Sequence, residues 1–255
     1  MSAYHLTNPS PWPLTLSISV LGFVVGIIRL FQFKSWFLVF FSGLCITLTL
    51  SLWWRDVIRE SNGHHTSSVT KLLSLGMILY IVSEVMFFAG FFGSFFWLSL
   101  TPSVELGGWP PMNINPLNPY SIPLLNTLVL LSSGVSVTLT HVSILGGNLK
   151  LSKLSLNLTI FLGVYFTFLQ LMEYYETSFT MADSVYGSLF FLLTGFHGIH
   201  VFMGTVFLIV CSKRLYGNEF STGHHLGFLM AAWYWHFVDV IWLFLYVTVY
   251  WWGSL

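Results

Sequence analysis

Among the ionisable residues inside the long apolar stretches of this sequence, five are placed where they could act on protons or bind a metal. Glu84 stands near the middle of the third stretch, with no other charged residue within a dozen positions. His197 and His200 are three residues apart in the sixth stretch, and His236 and Asp239 repeat that spacing in the seventh. On a helix, residues three apart share one face, so each pair projects to one side.

Glu84 suggests either a proton-transfer site or a polar clamp between helices. An ionised carboxylate at the centre of a membrane costs about 2.5–3.5 kcal/mol on insertion scales. Desolvation favours the protonated acid, so we expect Glu84 to be neutral or paired. The clamp is favoured, because a buried acid needs to donate only one hydrogen bond.

The histidines suggest a metal site or a hydrogen-bonded network. Imidazoles gathered at membrane depth can ligate haem iron or copper, which makes a redox metalloenzyme the sharper hypothesis. The His-x-x-His pattern is weakly specific, however, because buried histidines commonly exchange hydrogen bonds with neighbouring helices. We therefore favour an intramembrane polar network of His197, His200, His236 and Asp239. In it, His236 pairs with Asp239, or both reach the sixth helix.

The composition indicates a membrane protein. Of 255 residues, 55% are hydrophobic and 7% are charged, with nine basic and nine acidic side chains, whereas a soluble domain carries roughly a quarter charged residues. These values exclude a soluble globular protein, and the lack of net positive charge excludes a nucleic-acid-binding face. The sequence contains no Walker or dinucleotide-binding motif, and we expect no cleavable targeting peptide at its start.

Seven apolar runs are long enough to span a bilayer, which takes about 20 helical residues. They lie at about 14–33, 36–54, 72–100, 122–145, 154–176, 187–211 and 226–252. The predicted fold class is an all-α membrane protein with seven transmembrane helices. The hydrophilic link of residues 55–71 separates residues 1–54, with helices one and two, from residues 72–255, with a five-helix bundle. Glu173 lies near the end of the fifth run, where we expect interfacial solvation to satisfy it.

Lysine and arginine concentrate on one side of the predicted helices. The loops on the N-terminal side carry seven of them, and the opposite side has only Arg29 and Lys34. Because such residues stay in the compartment from which the chain is inserted, we expect the N-terminus there and the C-terminus opposite. The same loops combine basic and aromatic groups at headgroup height, a pattern that can bind anionic phospholipid.

With these residues the sequence resembles the cytochrome c oxidase subunit 3 family over nearly its whole length. The resemblance rests on polar and aromatic motifs within the apolar runs: Trp53-Trp54-Arg55-Asp56-Val57-Ile58-Arg59-Glu60, Ser83-Glu84, Pro123-Leu124-Leu125-Asn126-Thr127, Gly195-Phe196-His197-Gly198-Ile199-His200 and Trp233-Tyr234-Trp235-His236-Phe237-Val238-Asp239-Val240. Chance similarity between apolar helices does not reproduce such polar positions. One departure is Leu229, which stands where many members have Glu.

The resemblance implies a fold, a lipid site and the location of the metals. It implies seven helices in a V-shaped two-plus-five arrangement, with phospholipids in the cleft. We place the headgroup contacts at Trp54, Arg59, Glu60, His65 and Arg214. The resemblance also implies that haem and copper reside in subunits 1 and 2, so that this chain holds no metal and its intramembrane histidines serve packing and hydrogen bonding.

On the same grounds, the expected function is that of a non-catalytic subunit of cytochrome c oxidase, the respiratory complex that reduces O2 to water. Such a subunit stabilises the catalytic subunit, supports proton uptake and contacts subunits 1 and 2 and accessory subunits. The expected location is the mitochondrial inner membrane, with the N-terminus on the matrix side and the C-terminus on the intermembrane-space side. Two further alternatives are the equivalent subunit of a quinol oxidase and a proton-coupled transporter that uses Glu84, His236 and Asp239.

Overall fold

The computed structural model describes residues 9–61, 63, 65–102, 107–112 and 114–254, so the first eight residues of the predicted N-terminal segment lie outside it. Within the described residues, seven helices are long and apolar enough to cross a membrane. This confirms the predicted all-α membrane fold. The helices are α1 Trp12–Phe33, α2 Phe37–Ser61, α3 Ser67–Leu100, α4 Ile122–Leu145, α5 Leu149–Glu176, α6 Val185–Tyr216 and α7 Leu226–Leu245.

The last membrane span does not end with α7. The chain continues as a wider helical turn over Tyr246–Trp251 and a final 3-10 turn at Trp252–Ser254. Together these segments form one apolar span, Leu226–Ser254. The span ends close to the boundary expected from the sequence.

The chain forms two compact units, Met1–Leu73 and Ser74–Leu255, and the boundary between them falls within α3. The division of the chain at the 55–71 link and the V-shaped arrangement stay predictions. Each unit has its own internal packing.

In the first unit, α1 and α2 form a tightly packed hairpin. A Cβ atom added at Gly26 would lie 2.9 Å from the backbone nitrogen of Val39, so the two helix backbones are almost in contact. Such close approach favours helix association in lipid, where no hydrophobic force acts between helices. At the open end of the hairpin, the Trp12 indole N–H donates to Asp56 Oδ2 over 2.9 Å.

In the second unit, α4 and α5 pack through short hydroxyl side chains. The Ser136 and Thr159 hydroxyls lie 2.7 Å apart, and the Thr140 hydroxyl donates to Ser155 Oγ over 2.8 Å. All four side chains are buried. Small residues bring the helices close, and the hydrogen bonds satisfy polar groups that lipid cannot.

A buried tryptophan on α7 connects four helices. The Trp235 ring lies against Gly163 of α5 and Gly204 of α6, where an added Cβ would approach ring carbons to 2.6 and 3.0 Å. Its indole N–H donates to Ser133 Oγ on α4 over 2.8 Å. The ring fits because both facing residues are glycines, and the hydrogen bond satisfies its one polar atom.

Helix α3 contacts the rest of the second unit mainly through aromatic rings. The Phe88 and Phe237 ring centroids are 6.3 Å apart, and those of Phe95 and Trp252 are 6.0 Å apart, both with edge-to-face geometry. Edge-to-face pairs contribute about 0.5–1.5 kcal/mol beyond the area that they bury. These contacts position Glu84, which lies one turn before Phe88 on α3.

The packing of Trp235 predicts opposite outcomes for two glycine substitutions. In Gly163→Ala the new methyl group would overlap the Trp235 ring, and overpacking of this kind costs about 1–3 kcal/mol. In Gly198→Ala on α6 the methyl group meets no described heavy atom within 4 Å, and we expect stability to be unchanged or slightly higher. Thermal unfolding of the purified protein in mild detergent measures both; equal midpoints would contradict the interlocked packing.

Candidate functional site

Glu84 on α3 and His200 on α6 form a hydrogen-bonded pair. Glu84 Oε2 lies 2.9 Å from His200 Nε2, and His200 Nδ1 lies 2.6 Å from the carbonyl oxygen of Phe196. Because a carbonyl oxygen only accepts, Nδ1 must carry a hydrogen. The contact between Nε2 and the carboxyl group then contains one proton, bound either to the imidazole or to the acid. The pair carries no net charge in either case.

The surroundings of this pair are aromatic. The His200 ring lies 5.1 Å from Phe88, 6.3 Å from Tyr234 and 6.3 Å from Phe237, measured between ring centroids. The two polar side chains are 12% and 21% exposed for His200 and Glu84. An environment of this kind penalises isolated charge, so a neutral pair that shares one proton suits it.

His197 contacts α7, a different helix from the one that carries Glu84. Its side chain is fully buried, and Nε2 lies 3.2 Å from the carbonyl oxygen of Val238 on α7. The ring packs against Trp242 and Phe166, at centroid distances of 5.2 and 5.6 Å. Because the carbonyl accepts, Nε2–H is the donor, and His197 joins α6 to the backbone of α7.

His236 and Asp239 on α7 face α4. His236 Nε2 lies 3.4 Å from Thr138 Oγ1, whose own hydrogen is donated to the carbonyl oxygen of Gly134. Asp239 Oδ2 lies 2.8 Å from the position that a Cβ on Gly134 would occupy. Both side chains line a shallow groove on the surface of α4 and α7.

The four polar residues expected to form one network therefore make three separate interactions. Glu84 and His200 come together, His197 meets the backbone of α7, and His236 and Asp239 meet α4. Sharing one helix face does not make His197 and His200 share a partner, because α6 contacts several helices. In the part of the chain that the structure describes, no three His, Cys, Asp or Glu side chains are placed to hold a metal ion.

Glu173 differs from the sequence expectation of an acid solvated at the interface. Its side chain is 1% exposed. The Tyr250 hydroxyl and the Gln170 amide both donate to Glu173 Oε1. The wide helical turn of Tyr246–Trp251 carries the tyrosine to this position, so α5 and the end of the chain enclose the acid. The sequence does carry an indication of this burial, because Glu173 continues the stripe of small and polar residues on α5 that includes Gly163.

The predicted lipid contacts lie in both units. Trp54, Arg59, Glu60 and His65 belong to the first unit, where Trp54 and Arg59 are exposed and Glu60 and His65 half-buried. Arg214, in the second unit, is 8% exposed. Its Nε donates to Glu219 Oε2 over 2.8 Å, and its guanidinium lies 4.7 Å from the Phe220 ring centroid. Arg214 therefore also stabilises the connection between α6 and α7.

The pairing of Glu84 with His200 predicts a graded response to substitution. Glu84→Leu leaves His200 Nε2 facing apolar groups, which costs about 1–3 kcal/mol. Glu84→Gln keeps a hydrogen bond, because an amide both donates and accepts, and should lose less than half as much. Thermal unfolding in mild detergent measures the difference, with Glu176→Leu at an exposed end of α5 as the control. Equal losses for the leucine and glutamine variants would contradict the pairing.

Comparison with known proteins identifies the family. The family model described as Cytochrome c oxidase subunit III matches residues 2–254. Proteins named cytochrome c oxidase subunit 3 from Osphranter robustus and Oryctolagus cuniculus are each 58% identical over 255 residues, which cover 99% of this chain and 98% of the relative. The one from Pelomedusa subrufa is 56% identical over 254 residues, covering 98% and 97%.

These matches confirm the resemblance inferred from the polar motifs. They extend over nearly the whole chain and include both compact units. They do not favour the quinol-oxidase or transporter alternatives. The chain therefore belongs to the cytochrome c oxidase subunit III family.

Proposed function

We propose that this chain is the non-catalytic structural subunit of cytochrome c oxidase that stabilises the catalytic subunit, retains phospholipid and supports proton uptake. Membership of the oxidase complex follows from the family and from the names of the relatives. Since seven helices in the described part of the chain are long and apolar enough to span a membrane, and the relatives are mitochondrial oxidase subunits, the chain is a multi-pass protein of the mitochondrial inner membrane. In this proposal the haems and coppers belong to partner subunits 1 and 2, and accessory subunits complete the assembly.

One observation supports the non-catalytic role: each intramembrane histidine hydrogen-bonds through a ring nitrogen to a group of this same chain. These contacts are His197 with Val238, His200 with Glu84 and Phe196, and His236 with Thr138. The ring nitrogen that donates a hydrogen bond has no lone pair for a metal, but the second nitrogen of a neutral imidazole keeps one. A metal would therefore need several such side chains to converge, and no three His, Cys, Asp or Glu side chains among the described residues do so. This arrangement supports assigning the redox chemistry of the complex to its partner subunits.

The proposed orientation places the N-terminus in the matrix and the C-terminus in the intermembrane space. The hydrogen bond from Trp12 to Asp56 supports it, because it puts the start of α1 and the end of α2 on the same side. The basic residues near that end, Arg55 and Arg59, then lie with the other positive loops. Such residues are enriched on the side from which the chain is inserted.

Phospholipid retention is assigned to the polar end of α2 and to Arg214. The Arg59 side chain is 69% exposed, and its Nη1 lies 3.8 Å from Asp56 Oδ1, which is too long for a hydrogen bond. Its guanidinium can therefore contact a phosphate. Trp54, exposed more than one helical turn before Arg59, is a residue type that favours the headgroup region. Glu60 near the end of α2 and His65 in the link to α3 add further hydrogen-bonding groups. Arg214 would contact a headgroup while it keeps its bond to Glu219.

Removing the exposed charge should weaken lipid retention. A basic residue near an anionic lipid surface contributes about 1 kcal/mol, so we expect Arg59→Gln to retain roughly five-fold less anionic lipid at limiting lipid concentration. The matched control is Lys213→Gln, which removes an exposed basic residue outside the assigned contacts. Mass spectrometry of phospholipid per purified complex gives the result. Unchanged lipid in an Arg59→Gln, Arg214→Gln double variant would contradict the assignment.

The supporting role predicts a loss of durability when the chain is removed. We expect oxidase depleted of this subunit to keep its haem but to take up protons more slowly and to lose oxygen consumption after fewer turnovers. The measurement follows oxygen consumption and proton uptake over time, with complete oxidase exposed to the same detergent as the control. Equal rates and equal lifetimes would contradict the role in proton uptake and sustained turnover.

A further inference from the structure

Four polar side chains form a connected cluster where the start of α5 meets the end of α6. The Ser212 hydroxyl donates to Asn157 Oδ1 over 3.1 Å, and Asn157 Nδ2 donates to the Tyr216 hydroxyl oxygen over 2.9 Å. Lys153 Nζ lies 5.0 Å from the centroid of the Tyr216 ring, within the range of a cation–π contact. These four residues are called the α5–α6 cluster below.

The α5–α6 cluster has donors that its own hydrogen bonds do not use. Because the Tyr216 oxygen accepts from Asn157, the tyrosine hydrogen can be donated to another acceptor, and Asn157 Nδ2 keeps a second hydrogen. None of the ion pairs between described residues includes Lys153. Tyr216 is 55% exposed and Asn157 is exposed as well, so a ligand can reach these groups. One positive charge beside neutral donors suits an oxyanion such as a phosphate.

The position of the α5–α6 cluster along the helices matches the depth of lipid headgroups. Helix α6 has 32 residues and is about 48 Å long at 1.5 Å per residue, whereas the hydrocarbon core is about 30 Å thick. The ends of α6 therefore extend into the headgroup region. Tyr216 is the last residue of α6, and Lys153 is the fifth residue of α5. Asn157 and Ser212 each lie one turn closer to the middle of the membrane.

Below the α5–α6 cluster, the same helix faces become apolar. Phe161 and Tyr165 follow Asn157 at four-residue spacing, and their rings stack with parallel planes and centroids 6.3 Å apart. Phe161 is 64% exposed, and Ile209, one turn before Ser212 on α6, is also exposed. The surface is therefore cationic and hydrogen-bonding at headgroup depth and apolar beneath it. A phospholipid with a negatively charged headgroup has the complementary polarity.

This surface is separate from the lipid contact assigned to Arg214. Residues two apart on an α-helix project about 200° from each other, so Tyr216 and Arg214 point to nearly opposite sides of α6. Tyr216 is exposed, whereas Arg214 is buried. The two residues therefore cannot serve the same headgroup.

The polarity of the surface distinguishes between the possible occupants. A free phosphate or an acidic peptide could pair with Lys153 but would leave Phe161 and Ile209 uncovered. A zwitterionic phospholipid carries its own cation, which competes with Lys153 for the phosphate. An anionic phospholipid meets both requirements, because its phosphate can contact the cluster while its acyl chains cover the apolar residues.

We propose that the α5–α6 cluster binds the headgroup phosphate of an anionic phospholipid, whose acyl chains lie along Phe161 and Ile209. In this site Lys153 supplies the charge and the Tyr216 hydroxyl donates to the phosphate. Asn157 and Ser212 hold the tyrosine in place. The inference rests on the proposed retention of phospholipid by this chain and adds a second position for it.

Photolabelling of the intact oxidase tests the site. The purified complex is placed in phosphatidylcholine vesicles that contain a small fraction of phosphatidylglycerol with a diazirine on its acyl chain near the glycerol. Mass spectrometry measures adducts on the α5 segment that contains Phe161, and phosphatidylcholine with the same diazirine is the reference. We expect the anionic probe to label this segment roughly five-fold more than the reference. Equal labelling by the two probes overturns the proposal.

Substitution of the donors separates a lipid site from a polar contact that only joins α5 to α6. Lys153→Gln should abolish the preference for the anionic probe. Tyr216→Phe keeps the ring and loses the hydroxyl, and it should lower the preference roughly two-fold or more. The matched control is Lys213→Gln, which removes an exposed basic residue on another face of α6 and should leave the preference unchanged. A preference that persists in Lys153→Gln overturns the proposal, because a purely structural contact does not select headgroup charge.

Two further arms identify other occupants. Excess inorganic phosphate, compared with chloride at the same ionic strength, should leave the labelling unchanged. Displacement of the probe by phosphate shows a free-anion site and overturns the assignment to lipid. Labelling that appears only after the other subunits have been separated shows a protein occupant in the complex and overturns it too.

The haem content of each purified complex separates this inference from the proposed function. If haem co-purifies in normal amount but the anionic probe has no preference, the α5–α6 cluster has been assigned wrongly and the oxidase role stands. If haem does not co-purify even with the unaltered chain, the proposed function itself fails. Arg59→Gln should keep the labelling of α5, so the two lipid positions are tested independently.

Discussion

The interior of a membrane supplies no water to satisfy a polar group, and the arrangement of this protein depends on that constraint. Every donor and acceptor that the chain brings into the bilayer needs a partner within protein. Trp235 meets this requirement on Ser133, and Trp242 meets it on Thr127 over 3.0 Å. These bonds form only because small residues let the helices approach closely, so polar satisfaction and close packing are achieved by the same contacts.

The same constraint explains why the ionisable residues occur in combination. Glu84 and His200 share one proton and present no net charge to the aromatic rings around them. Glu173 receives donors from Tyr250 and Gln170. Satisfaction is only partial for two of these acids, because Glu173 Oε2 and Asp239 Oδ1 are each buried without a donor in the described part of the chain.

Much of the fold was predictable, because the length and composition of apolar runs are the dominant signal in a membrane protein. The seven runs match the seven helices, but several helices extend further than the runs. Helix α2 continues to Ser61 and α6 to Tyr216, since polar residues at headgroup depth keep helical backbone bonds although they are not apolar. A hydropathy criterion therefore finds the membrane core of a helix more accurately than its ends.

The partners of the site residues were less predictable. The i, i+3 spacing placed His197 and His200 on one face, but spacing within a helix does not specify which neighbouring helix each ring will meet. Glu84 was expected to be neutral or paired, and the identity of its partner required the packing of α3 against α6. The position of Glu173 near the end of its apolar run indicates an interfacial acid, whereas the buried stripe that it shares with Gly163 indicates an enclosed one. Helical phase was the better guide there.

In the proposed function this chain is a subunit of the oxidase whose histidines bond to protein, and the haems and coppers belong to its partner subunits. The most direct measurement is a reduced-minus-oxidised optical spectrum of material purified through this chain in mild detergent, repeated after the chain is separated from its partners. We expect a haem a signal in the complex and none in the separated chain. Stoichiometric haem or copper that stays with the separated chain would contradict it.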